Sequence, residues 1–212
     1  MQESKIARII SEVFNGTITM ILTPIIAIVV SPIGTKEKVF FSLAYILAAL
    51  IPYLILKALG KISDYEFTKR EERPPYFITI SILFGVLYLI TKTYIQSPIL
   101  PTVALALFVS TTVMTMVTFF WKISGHMTYS TLFFCTMMYL SLILHPNSLN
   151  NPSSYFRMQD FRSLLLLLLL FLIATPLIAW SRVKLKKHTV GQVIAGTLVT
   201  LTICILIFVP IF

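Results

Sequence analysis

Two histidines, His126 and His188, each sit beside basic residues at the edge of a long apolar run. They belong to short polar segments, residues 121–126 (WKISGH) and residues 181–188 (SRVKLKKH). A third segment, residues 60–75, holds Lys61, Asp64, Glu66, Lys69, Arg70, Glu71, Glu72 and Arg73. These residue types suit phosphate. Arg73 and Arg182 carry planar, forked donors that match phosphate oxygens bidentately. Lys69, Arg70 and Lys122 add positive charge. Ser124 offers a hydroxyl, and Gly125 lets a backbone N–H approach closely. Histidine suits acid–base or nucleophilic work near neutral pH. Gln192 lies one helical turn after His188, so its side-chain oxygen can accept the ring N–H and fix the tautomer. No carboxylate–histidine cluster has ligand spacing on a single element, so neither a metal nor another cofactor is expected.

The elements that must position these groups are greasy. The chain has 212 residues, of which 57% are apolar and only 12% charged, with a mean hydropathy of +0.90. A soluble domain carries about 25% charged residues, so a water-soluble enzyme is excluded. Seven apolar runs, at residues 13–31, 39–59, 76–94, 99–120, 127–144, 164–180 and 191–212, approach or reach membrane-spanning length. A span needs about 20 residues. The runs are continuous rather than alternating, which favours helices over barrel strands. The reading is an all-α integral membrane protein, a single domain over residues 1–212 with six to seven transmembrane helices. The run at 13–31, interrupted by Asn15-Gly16 and Pro24, is the weakest. Residues 1–12 read as an amphipathic lead-in rather than a cleaved signal. The seven leucines at 164–170 face lipid.

With seven spans, the three polar segments fall on one membrane face, together with the N-terminus. That side carries twelve of the 17 lysines and arginines, which points to the cytoplasm. Net charge is +9, with the basic residues set in gaps between apolar runs. Anionic head groups are therefore the expected partner, and nucleic acid is not. Cys135 and Cys204 lie inside apolar runs and form no disulfide framework. Lys184, Lys186 and Lys187 read as interfacial anchors, Trp121 and Trp180 as an aromatic belt, and Gly196 as a helix-packing residue. His145, before Pro146, reads as structural. Asp64, Glu66, Glu71 and Glu72 read as a solvated ion-pair network, in which Asp64 or Glu66 could instead orient His188.

Ser181-Arg182 followed by His188 resembles the third signature of the type-2 phosphatidic acid phosphatase superfamily. Ser124-Gly125-His126 resembles its second signature, and Arg73-Pro74 the end of its first. Chain order and shared membrane face match as well. Glu66, Ile123 and Gln192 stand where the family pattern has lysine, proline and aspartate, so the resemblance is to a divergent branch. It implies that His188 attacks phosphorus and that His126 protonates the leaving oxygen and then activates water. It also implies that Arg73, Arg182, Ser124 and the Gly125 N–H stabilise the equatorial oxygens, with Lys122, Arg70 and Lys69 as further phosphate-binding residues. The expected function is a metal-independent membrane phosphatase, in a prokaryotic cell membrane, acting on a lipid phosphate or prenyl diphosphate. The alternatives are a lipid phosphotransferase and a non-catalytic lipid-binding protein with a decayed site. A transporter is disfavoured because few ionisable residues fall within the spans.

Overall fold

A computed structural model describes residues 4–64, 67, 69–144 and 158–211. Several helices begin where a short polar side chain or a proline can satisfy free N–H groups or remove one. Helix α1 (Lys5–Val13) is capped by Ser4, and α2 (Gly16–Val30) by Asn15, whose side chain accepts from Thr17 N at 2.9 Å. Helix α3 spans Thr35–Ala58. A 3-10 turn at Arg70–Glu72 leads into α4 (Arg73–Tyr94), with proline in its first turn. Helix α5 (Ile99–Phe120) starts at Pro98, and α6 (Gly125–Ile143) is capped by Ser124. Helix α7 spans Met158–Lys184, and α8 (Val190–Phe208) opens on a capping box made by Thr189 and Gln192. No strand occurs among the described residues.

Six segments are long and apolar enough to cross a membrane: Lys5–Val30, Thr35–Ala58, Arg70–Tyr94, Ile99–Phe120, Arg162–Lys184 and Val190–Phe208. The chain is therefore an all-α multi-pass bundle. Helix α6, which covers the run at 127–144, is not among the six. Its first half carries Thr128, Tyr129, Ser130 and Thr131, all buried. Packing explains how so polar a helix is accommodated: α6 lies against α2, α5, α7 and α8 and is screened on all these sides. Tyr129 Oη and Thr111 Oγ1 lie 3.2 Å apart across the α5–α6 contact. Hydroxyls elsewhere in the bundle bond back to carbonyls of their own helix, as Thr115 does to Thr111 O at 2.7 Å and Thr200 to Gly196 O at 2.9 Å. Within an apolar bundle this satisfies polar groups that water cannot reach.

Helix α8 approaches α6 at Gly196, as its small size foreshadows. A Cβ there would lie 2.9 Å from Ser124 O and 3.0 Å from Met127 Cβ. Gly16 brings the start of α2 equally close, since its Cβ would meet the Gly125 and His126 backbone at 3.2 Å. The starts of α2 and α6 are thereby locked together. The N-terminal ends of α2, α4 and α6 supply most of the pocket described next.

Candidate active site

One pocket is lined by residues from all three polar segments. Arg73 comes from the first turn of α4, Gly125 and His126 from the start of α6, Arg182 from the end of α7, and His188 from the loop before α8. Asn15, Gly16, Thr17 and Met20 of α2 close another side, and Phe67, Tyr76 and Phe77 supply aromatic wall. Helix N-termini carry partial positive charge, so the backbone adds to the field of the two guanidinium groups.

Both arginines are buried, and each is held by at least one neighbour distant in sequence. Arg73 donates from Nε to Phe67 O at 2.9 Å and from Nη1 to Ile123 O at 2.8 Å. Phe67 stacks on Tyr76 with ring centroids 4.7 Å apart, which anchors the segment presenting that carbonyl. Arg182 is only 1% exposed and donates from Nη1 to Ser11 Oγ at 2.5 Å.

The His188 tautomer follows from its contacts. Gln192 Oε1 lies 3.1 Å from His188 Nδ1 and 3.2 Å from Thr189 N. Thr189 N can only donate, so the Gln192 atom at this point is the carbonyl oxygen and not the amide nitrogen. Nδ1 must then carry the proton, and Nε2 keeps its lone pair. Burial, reinforced by the charges of Arg73, Arg182 and Lys122, pushes the His188 pKa down to about 3. The imidazole is neutral at pH 7, the form in which it can act as a nucleophile. His126 differs. Its ring makes a hydrogen bond to the Ser11 backbone, and Nε2 is buried with no hydrogen-bond partner.

Four expected phosphate-binding residues do not line the pocket. Ser124 is fully buried and spends its hydroxyl on capping α6, while its N–H reaches Gln192 O at 3.4 Å. Lys122 is half-buried, and burial followed by the charges of Arg73, Lys187 and Arg182 lowers its pKa. Lys69 is exposed and pairs with Glu72 at 3.5 Å. Arg70 turns to Phe120 O at 3.1 Å and lies 3.9 Å from Glu71. Glu66 and His145 lie outside the described residues. Among the described residues, no three His, Cys, Asp or Glu side chains gather where a metal could bind.

The α1–α2 junction is the part that the sequence reading missed. Ser11, Asn15, Gly16 and Thr17 reach the site, and only the Asn15-Gly16 break in the first apolar run hinted at it. Comparison with family models, curated proteins and solved structures finds no match for this chain.

Proposed function

We propose that this chain is a membrane phosphatase that hydrolyses a lipid phosphate or isoprenoid diphosphate through a phosphohistidine on His188. The supporting observation is one pocket containing His188 with its proton on Nδ1, His126, and the buried guanidiniums of Arg73 and Arg182. In the first step the His188 Nε2 lone pair attacks phosphorus and the bond to the leaving oxygen breaks. His126 enters this step protonated on both ring nitrogens, its charge balanced by the bound phosphate, and delivers the Nε2 proton to that oxygen. The Nδ1–H stays on the Gln192 carbonyl while the ring is cationic. In the second step His126 takes a proton from water, the oxygen attacks phosphorus, and the P–N bond breaks to release phosphate and neutral His188. Arg73 and Arg182 balance the charge on the equatorial oxygens in both transition states. A site at the ends of spanning helices suits an amphiphile whose head must reach water while its tail stays in lipid.

The test is phosphate release in detergent from phosphatidate, phosphatidylglycerol phosphate and a polyprenyl diphosphate, with and without chelator. Chelator-insensitive release from at least one substrate is expected. Release only with an added alcohol acceptor would shift the reading to a phosphotransferase, and no release from any substrate would leave a lipid-binding protein. The Lys/Arg bias supports a cytoplasmic pocket, and we read the membrane as that of a prokaryotic cell. A cysteine at Lys186 that reacts with an impermeant thiol reagent in intact cells, while one at Lys36 does not, would reverse that orientation.

A further inference from the structure

Helix α1 enters the site through one residue. Ser11 is 3% exposed, and its hydroxyl oxygen accepts from Arg182 Nη1 across 171 residues of sequence. The backbone of the same residue bonds to the His126 ring. That contact occupies one ring nitrogen and leaves Nε2, the buried atom without a partner, as the nitrogen available to a substrate. Ala7, fully buried, lies one turn before Ser11 on the inward face of α1. Ile6, Ile9 and Val13, all more than 60% exposed, form the outward face. Opposite that apolar face, α1 packs against α7, which carries Arg182.

We propose that Ser11 is a positioning residue for the phosphate pocket, fixing the Arg182 guanidinium with its hydroxyl and the His126 ring with its backbone. This rests on the phosphatase reading above. A guanidinium on a long side chain has many rotamers, and tethering Nη1 sets the direction of the planar fork before substrate arrives. The His126 contact acts alongside, because a ring bonded on one side presents the other nitrogen in a fixed direction. One short residue thus couples the α6 histidine to the α7 arginine, although the two helices bring them from opposite ends of their own sequences.

The experiment is a double-mutant cycle of Ser11→Ala with Arg182→Lys. It is read by orthovanadate affinity, from ligand-induced thermal stabilisation, and by kcat on whichever substrate turns over. Alanine is a good helix former, so the unliganded melting temperature of Ser11→Ala should stay close to wild type. A hydrogen bond to a charged group corresponds to about a 10- to 100-fold effect. Ser11→Ala should weaken orthovanadate binding and lower kcat by that factor, and should have no further effect in the Arg182→Lys background. Unchanged vanadate affinity in Ser11→Ala, losses that multiply in the double variant, or no binding by wild type would each overturn the inference. Vanadate binding that follows the cycle without turnover of any lipid phosphate would keep Ser11 in its role and overturn the phosphatase reading. Turnover unaffected by Ser11→Ala would do the reverse.

Discussion

Helix α6 delivers Gly125, His126 and Tyr129 to the pocket and α7 delivers Arg182, and the two are built in opposite ways. Helix α6 opens on Gly125 and His126 and continues through buried Thr128, Tyr129, Ser130 and Thr131, with neighbours on four sides. Helix α7 carries Arg182 in its last turn, after a leucine run. Only 11% of its most apolar stretch is buried, and Leu166, Leu170 and Leu172 are all more than half exposed. In a bilayer, hydropathy marks the surface that meets lipid and not the centre of the bundle. Lipid tails are as apolar as leucine, so a leucine face gains nothing by turning inward. A helix rich in hydroxyls is kept from lipid by packing it among other helices, and α6 is so placed, although the buried hydroxyls of Thr128, Ser130, Thr131 and Thr136 make no hydrogen bond there. The polar helix is therefore the core, and α7 is lipid-facing until its last turns.

The largest effects separate chemistry from packing at the pocket end. His188→Ala should abolish phosphate release, because no covalent path remains. His126→Ala should lower it by about 10²–10⁴-fold, the usual contribution of a general acid–base group. Both variants should melt near wild type in detergent. Near-wild-type turnover by either variant would remove that histidine from the chemistry.

Packing on α6 should give the next largest effect, on stability instead of activity. In Gly196→Leu the new side chain meets the Ser124 carbonyl at 2.9 Å, and backbone cannot yield as a flexible side chain would. Overpacking of this kind costs about 1–3 kcal/mol, readable as a lower melting temperature. A Gly196→Leu protein as stable as wild type would show that α8 does not press on the start of α6.

A pH titration sharpens the contrast further. His188 has a folded pKa of about 3 against an ordinary value of 6.5. Between those values the unfolded chain takes up a proton that the folded chain refuses, so stability falls as pH drops from 6.5 toward 3. At higher pH neither state binds the proton and this contribution is flat. His188→Asn should make the acid side of the stability curve shallower, as measured by melting temperature against pH. An unchanged slope would show that the folded ring is not held neutral. The smallest effect belongs to the lipid face of α7. Leu166, 62% exposed, should tolerate alanine within about 0.5 kcal/mol, and a larger loss would mean that this face is covered.

The polar segments were legible because charge in so apolar a chain can sit only where helices end. The i,i+4 spacing of His188 and Gln192 suggested their contact, but it is made differently: His188 precedes α8, and Gln192 reaches back to it from the capping box. What charge alone did not give is direction. Lys69 is taken by Glu72 three residues on, an i,i+3 pairing visible in the sequence, yet residue type alone read it as a phosphate ligand. Ser124 was ambiguous for a different reason: a serine before a helix is as apt to cap it as to bind a ligand, and here it caps. Ser11 was beyond reach. It is small, uncharged and 171 residues from its partner, so only the packing of α1 on α7 reveals it.

The phosphohistidine is tested most directly by quenching turnover of a radiolabelled lipid phosphate in alkali and locating the label. The account predicts an alkali-stable, acid-labile phosphoryl group on His188 that is absent from His188→Ala. Hydrolysis with no phosphoenzyme, or with the label on any other residue, would contradict it.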